Sequence, residues 1–122
     1  MASPRVTVLV AHGSRNPRSQ EAHAALVDEV AVQSGRTTVA AYLEMAEPGI
    51  PDAIDAAVAS GAAEVVVVPC FLHPGNHVLV DIPAVVDEAR ERHAEVPITL
   101  TAHLGSSAAL VPVLAELAEN AS

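Results

Sequence analysis

The sequence predicts an α/β fold: a single three-layer domain, residues 1–122, in which helices flank a four-stranded parallel sheet. Short β-branched runs alternate with Ala-rich amphipathic segments in the order βαβαβαβα, which is typical of parallel sheets with helical crossovers. Residues 64–68 are continuously apolar after their first residue, as expected of a parallel strand buried on both faces. The length of 122 residues suffices for one hydrophobic core.

The first strand and helix are separated by a change of hydrophobic period. Residues 5–10 form a mostly apolar strand, and residues 18–33 form a helix that Gly35 ends. One face of this helix is expected to pack on the sheet, and its members are Ala22, Leu26, Val30 and Gln33.

The second pair comprises a strand at 37–43 and a helix at 51–60. Pro51 stands at the start of that helix and Gly61 follows its end, which is the common arrangement of these residues.

The last two pairs contain prolines that limit their geometry. A helix at 78–93 follows the third strand, and Pro83 must either start a helical segment or kink it. The fourth strand, 97–101, is expected at a sheet edge because Pro97 cannot donate to a β-ladder. The last helix covers 106–119 and takes Ser106 or Ser107 as its N-cap.

Charge and composition argue against several classes of protein. The formal charge is −9, all six basic residues are Arg, and Tyr42 and Phe71 are the only aromatic residues. We therefore expect no nucleic-acid partner and no membrane partner. Cys70 is the single cysteine, so no internal disulfide can form, and no apolar stretch is long enough for a signal peptide or a membrane span. These features predict a cytoplasmic protein.

Polar residues cluster on the predicted strand-to-helix loops. Right-handed crossovers place these loops on one rim of the sheet, where α/β proteins bind ligands. Neutral imidazole is a good ligand for divalent first-row metals. Five candidate ligands fall on this rim: His12, Glu44, His73, His77 and His103.

His12 and His77 are the main candidates for metal ligands, and Glu44 for a third ligand or a base. Each has a simpler interpretation, since a loop histidine can merely bind a carbonyl and a loop carboxylate can merely be solvated. Asp81, four residues after His77, either orients the imidazole or only favours a helix N-terminus. No zinc spacing, P-loop or nucleophile elbow is present.

The remaining histidines and the cysteine are expected to play lesser roles. His73 and His103 are interpreted as solvated loop residues, or as auxiliary ligands. His23 and His93 are interpreted as helix surface residues, and Cys70 as a small core residue.

Basic and polar side chains near the first helix suggest an anion site. Arg15 and Arg18 stand where backbone N–H groups also point outward, so they either hold a carboxylate or phosphate or are simply solvated.

Three stretches together resemble one family. They are V-L-V-A-H-G-S-R-N-P-R, A-Y-L-E-M-A-E-P-G-I-P-D-A-I and V-V-V-P-C-F-L-H-P-G-N-H-V-L-V-D-I-P, and the similarity extends over about residues 6–117. The chain is similar to the small class II sirohydrochlorin chelatases of cobalamin and sirohaem biosynthesis. Cys70 and His73 differ from the apolar residues that are common there.

The resemblance implies an ATP-independent lyase that uses no nucleotide and inserts Co²⁺, Fe²⁺ or Ni²⁺, as substrate, into a tetrapyrrole. It implies that His12 and His77 handle the metal, that Glu44 is their acidic partner, and that short members pair as homodimers. Ser14, Arg15 and Asn76 are then candidate substrate-binding residues, because the polyanionic substrate needs local donors in an acidic protein. The alternatives are a non-catalytic metal or tetrapyrrole carrier and a regulatory domain without chemistry.

Overall fold

The computed structural model describes residues 4–121, and their architecture confirms the predicted α/β fold. Four parallel strands form one sheet in the spatial order β2-β1-β3-β4. The strands are β1 (Arg5–Ala11), β2 (Thr37–Tyr42), β3 (Glu64–Pro69) and β4 (Ile98–Leu100). The helices are α1 (Pro17–Ser34), α2 (Ile50–Ala59), α3 (Ile82–Arg92) and α4 (Leu110–Glu119). No helix within this part of the chain is both long and apolar enough to cross a bilayer.

The core lies between one face of the sheet and the helices α2 and α3. Side chains alternate across a strand, so Val6, Val8 and Val10 share the face that is buried here. The same layer contains fully or almost fully buried side chains from the two helices: Ile50, Ile54, Ile82 and Val86. Burying a branched aliphatic side chain contributes about 1.5–3 kcal/mol, so this layer fixes the two central strands that lead to the rim.

The opposite face of the sheet is covered mainly at β2, where α1 packs. The prediction that β3 is buried on both faces is wrong. Val65 and Val67 are fully buried towards α2 and α3, whereas Val66 and Val68, on the α1 side, are only half-buried. Thr99, which is in register with Val66 on β4, is exposed. An apolar run shows that a strand is central, but it cannot show whether a helix covers its second face.

The predicted buried face of α1 is also wrong. Leu26 is 43% exposed, and the buried positions of the helix are His23 and Val27. Alanines stand on several sides of this helix. Its hydrophobic periodicity is therefore weak and does not define one apolar face. Gly35 ends the helix as predicted, in the left-handed conformation with φ of 68°.

The last two helices begin differently from the prediction. A π-helical turn, His77–Asp81, precedes α3, and Pro83 stands in the first turn of α3, where it starts the helix rather than kinking it. A 3₁₀ turn, Leu104–Ser106, precedes α4, which begins only at Leu110. Neither predicted serine caps α4, because its N-cap residue is Ala109.

Candidate metal centre

Three side chains follow the carboxyl ends of three adjacent strands. His12 follows β1, Glu44 follows β2, and His77 begins the π-helical turn after β3. Backbone hydrogen bonds continue between the first two segments beyond the strands: the Leu43 N–H donates to Ala11 O (2.9 Å) and the Glu44 N–H to His12 O (3.1 Å). The side chains of His12 and Glu44 are therefore placed by the sheet itself, because their backbones remain paired.

The structure brings the donor atoms of His12, Glu44 and His77 within 4.8 Å of one another. His12 Nε2 lies 3.0 Å from Glu44 Oε1, and the two imidazole ring centroids are 5.1 Å apart. Two nitrogens and one carboxylate oxygen form a donor set that suits Co²⁺, Fe²⁺, Ni²⁺ and Zn²⁺ alike. We call these three residues the rim triad.

Glycine is required at position 13, between His12 and Ser14. Its φ is +107°, and a Cβ atom added there would lie 1.7 Å from Glu44 O. Any side chain would therefore both strain the backbone and push the loop after β1 away from β2. Gly13 is thus part of the geometry that joins His12 to Glu44.

Asp81 contacts His77 rather than merely standing at a helix start. His77 Nδ1 and Asp81 Oδ2 are 2.8 Å apart, and the two residues stand four positions apart at the ends of the π-helical turn. The carboxylate accepts the Nδ1–H bond, which leaves the lone pair on Nε2 available for a metal. Asp81 therefore selects the tautomer and orientation in which His77 can be a ligand.

The rim triad is open to solvent on one side. The side chains of His12, Glu44 and His77 are 48%, 47% and 45% exposed. Three protein donors at an open surface leave several coordination positions of a divalent ion free. Such a site can hold an ion and can also release it to a larger ligand that approaches from the solvent side.

The other predicted rim residues lie near the rim triad without belonging to it. Ser14 accepts a hydrogen bond from the Asn16 N–H (3.0 Å) through Oγ, so its hydroxyl helps to shape the loop. Arg15 and Asn76 are exposed on the loops that follow His12 and precede His77. Among the described residues, His73 and His103 are not members of the metal-ligand cluster.

Exposed apolar side chains stand on the same rim segments as the polar candidates, a feature that the sequence reasoning missed. Five large hydrophobic residues of the rim loops are between 39% and 65% exposed: Met45, Leu72, Leu79, Val80 and Leu104. The sequence does contain a pattern that indicates them. Each of these five apolar residues stands within three positions of one of the histidines or Glu44 on the rim. Leu72 also lines a groove of about 310 Å³ against α4. A larger apolar cavity of about 400 Å³, between β2 and α2, contains no imidazole.

Two histidines interpreted as surface residues make contacts with other elements of the fold, one of them buried and the other half-buried. His23 is 8% exposed, and its Nε2–H donates to Leu9 O at 3.0 Å. His93, whose side chain is 20% exposed, ends α3 and lies 2.7 Å from Asp55 Oδ1 on α2. Polar residues on a helix look solvated in a sequence, but here tertiary contacts supply their hydrogen-bond partners.

The pKa values of Asp55 and Cys70 are shifted in opposite directions. The hydrogen bond from His93 holds the pKa of the Asp55 carboxyl below its ordinary value of 3.8, and Arg92 adds a further hydrogen bond and charge. Burial raises the pKa of the Cys70 thiol, which makes its thiolate scarce and agrees with a packing role.

The Asp55 pair predicts a pH-dependent stability difference. Because the folded-state pKa of Asp55 is lowered, its contribution is complete above pH 3.8 and is lost as the pH falls through the folded-state pKa. Asp55→Asn should therefore lower the free energy of unfolding by about 0.5–1 kcal/mol at pH 7, as for other half-exposed pairs. Urea unfolding at pH 7 and pH 3 measures the difference in the free energy of unfolding between the variant and the wild type. Asp28→Asn on α1 is the control, because it makes the same change of charge away from His93. An equal loss of stability in Asp55→Asn at both pH values would contradict a contribution from the ionised Asp55 carboxylate.

The chain is similar in sequence to known proteins. The chain matches the CbiX family over residues 6–121. It is 36% identical over 108 residues to the chloroplastic sirohydrochlorin ferrochelatase of Arabidopsis thaliana, an alignment that covers 88% of this chain and 48% of the plant protein. The chain thus spans about half the length of that relative.

Two solved structures share the fold. The cobalamin biosynthesis CbiX protein from Marinobacter aquaeolei VT8 superposes with a TM-score of 0.83 at 30% identity, covering 95% of both chains. The sirohydrochlorin chelatase SirB from Bacillus subtilis subspecies spizizenii, in complex with cobalt, gives a TM-score of 0.86 at 25% identity, covering 96% of this chain and 50% of SirB. With a family match across almost its whole length and the same sheet and helices, the chain belongs to the CbiX family.

Proposed function

We propose that this protein is a sirohydrochlorin chelatase, which inserts Co²⁺ or Fe²⁺, and alternatively Ni²⁺, into sirohydrochlorin without a nucleotide. The observation that carries the proposal is the convergence of His12, Glu44 and His77 at one open rim. Two similar proteins support the proposal: the sirohydrochlorin ferrochelatase of Arabidopsis thaliana and the sirohydrochlorin chelatase SirB, whose structure contains cobalt.

The reaction that these residues serve is an exchange of two protons for one metal ion. The free macrocycle and M²⁺ give the metallated macrocycle and 2 H⁺. The ion sheds water, binds first to protein donors, and then transfers to the four ring nitrogens. Three ligands at an open surface hold the ion firmly enough to place it and loosely enough to release it.

Each residue of the rim triad has a separate role in this proposal. His77, oriented by Asp81, offers Nε2 to the ion. His12 Nε2 and Glu44 Oε1 lie 3.0 Å apart, so both atoms can bind one arriving ion. As the ion leaves for the macrocycle, Glu44 becomes free to accept a proton from a ring N–H. The second proton passes to solvent, to which the site is open.

The surroundings of the rim triad suit a large planar ligand with acidic substituents. The exposed apolar residues around it, among them Met45 and Leu79, can pack against the macrocycle. The chain carries a net charge of −9, so long-range attraction does not help a polyanionic substrate. Ser14, Arg15 and Asn76 are the local donors that we assign to its carboxylates.

The test of catalysis is a rate measurement with the unmodified chain. Mixing metal-free protein, sirohydrochlorin and Co²⁺ should convert the visible spectrum to that of the metallated product faster than without protein. Tight binding without acceleration would instead identify a non-catalytic carrier. Comparing the rates for Co²⁺, Fe²⁺ and Ni²⁺ in the same assay would identify the preferred metal.

Arg15→Ala is expected to raise the KM for sirohydrochlorin about fivefold, because an exposed charge pair contributes about 1 kcal/mol. Cobalt affinity should not change, since Arg15 is not among the metal donors. Steady-state kinetics and a cobalt titration measure the two effects. Arg36→Ala is the control, because Arg36 precedes β2 at the opposite end of the sheet. An unchanged KM would remove Arg15 from the substrate site.

We also propose that two copies of the chain pair through α4. This helix has no buried residue and does not pack closely on any other element of the described chain. Four of its large apolar residues are between 48% and 69% exposed: Val111, Val113, Leu114 and Leu117. A helix this apolar is normally covered by another surface.

The area that α4 can bury favours reciprocal docking on a second copy. A helix of 10 residues has a lateral surface of roughly 470 Å². Two α4 helices packed only on each other would bury about 500 Å² in total, well below the roughly 1,000 Å² that a specific interface needs. If each α4 lies on the half-sheet that α1 leaves open on the partner, each of the two contacts buries about 250 Å² of helix and an equal area of sheet, which gives about 1,000 Å² in total.

Leu114→Glu is expected to convert a dimer into a monomer and to leave the fold intact, because Leu114 is 60% exposed within the chain. Sedimentation measures the mass and circular dichroism the fold. Val32→Glu on α1, where the valine is 85% exposed, is the matched control and should stay dimeric. A monomeric wild type, or a dimeric Leu114→Glu variant, would overturn the interface.

A further inference from the structure

Two side chains of α1 hold the backbone on either side of His12. His23 donates from Nε2 to Leu9 O at 3.0 Å, and Gln20 donates from Nε2 to Ser14 O at 2.9 Å. Leu9 stands three residues before His12, and Ser14 stands two residues after it. One helix therefore fixes both ends of the segment that carries the first ligand of the rim triad.

The same helix also contacts the segment that carries Glu44. Tyr42, at the end of β2, is 6% exposed, and its ring lies 5.3 Å from the His23 ring in an edge-to-face arrangement. The Tyr42 hydroxyl approaches Gln20 O at 3.5 Å. Glu44 follows Tyr42 by two residues, so displacement of this aromatic pair would shift the carboxylate relative to His12.

His23 is a polar residue at a position that an apolar side chain could fill. Apart from Tyr42 with its hydroxyl group, it is the one buried polar residue among the described residues. An imidazole there must give up hydration, and its hydrogen bond to Leu9 O offsets that cost. A leucine would pack at this sheet contact without that cost, but it could not hold a carbonyl.

We propose that Gln20 and His23 are positioning residues for the rim triad. They act through the backbone of residues 9–14 and through Tyr42, and they set the distance between His12 and Glu44. The inference rests on the proposed function only in taking the rim triad as the metal site. It concerns metal binding, so it can be tested whether or not the protein turns over sirohydrochlorin.

The test is the affinity and visible absorption spectrum of Co²⁺ bound to the full chain. Gln20→Ala and His23→Phe should each weaken cobalt binding about tenfold, the usual loss when a partner that orients a metal ligand is removed. The cobalt spectrum should also change, because the coordination geometry depends on the His12–Glu44 distance. His23→Gln, which keeps an N–H donor, should recover most of the affinity, and this rescue separates positioning from packing.

Glu21→Gln is the matched control, since Glu21 is exposed on α1 beside Gln20. If His23→Phe does not fold, Gln20→Ala still decides, because Gln20 lies at the half-buried edge of the helix. Wild-type cobalt affinity and an unchanged spectrum in Gln20→Ala would overturn the proposal. Failure of the wild type to bind cobalt would overturn the metal site and this inference together, whereas cobalt binding without turnover would overturn only catalysis.

Discussion

His12→Ala and His77→Ala should each abolish metal insertion and lower Co²⁺ affinity by at least about 100-fold. Loss of a direct ligand should cost no less than the 10–100-fold that loss of a ligand's supporting partner costs. The fold should persist, because both side chains are nearly half exposed and their removal leaves no large cavity. Isothermal titration with Co²⁺ and the visible spectrum of sirohydrochlorin measure the two losses.

The control for these variants is another histidine on the same rim. His73 is exposed and lies outside the metal-ligand cluster, so His73→Ala should bind Co²⁺ as the wild type does. Cobalt binding should also weaken in acid for the wild type, since a protonated imidazole has no lone pair for a metal. Full turnover by a variant lacking both His12 and His77 would reject the assignment of the metal site.

Gly13→Ala should reduce both stability and metal binding, although the glycine carries no chemistry. A methyl group at a φ of +107° strains the backbone, and its position 1.7 Å from Glu44 O requires the two loops to separate. We expect a loss of about 2 kcal/mol or more in the free energy of unfolding, and a cobalt affinity at least tenfold weaker. Thermal unfolding and cobalt titration measure both.

A second glycine separates backbone strain from steric contact. Gly61 has a φ of +101°, and nothing lies within 4 Å of an added Cβ atom. Gly61→Ala should therefore lose stability through strain alone and keep its affinity for cobalt. If Gly13→Ala bound cobalt as tightly as Gly61→Ala, the close packing of the two loops would not be what sets the metal site.

The open half-sheet and the exposed α4 are the surfaces of the dimer proposed above. Self-association of a chain with charge −9 is opposed by repulsion, so apolar burial must supply the favourable free energy. Added salt screens the repulsion and leaves apolar burial in place. Dimer formation through α4 should therefore strengthen as the salt concentration rises.

The sequence by itself determined the fold class and the rim on which the polar residues lie. Alternating strands and helices lead to a parallel sheet, and the handedness of its crossovers places His12, Glu44 and His77 at one edge. These conclusions need only the order of the elements and the end of each strand. The resemblance to the family is carried by stretches that contain these three residues, and the match to the CbiX family over residues 6–121 confirms it.

Only the tertiary structure decided which surfaces are covered. The period of α1 predicts a helix, but the contact of His23 with Leu9 and Tyr42 selects its buried face. The apolar residues of β3 predict a central strand, but the position of α1 leaves Val66 half-buried. Burial depends on neighbours that are distant in the chain, and a local pattern cannot specify them. The closeness of His12 and Glu44 depends likewise on a backbone contact across two loops, which the sequence marks only by Gly13.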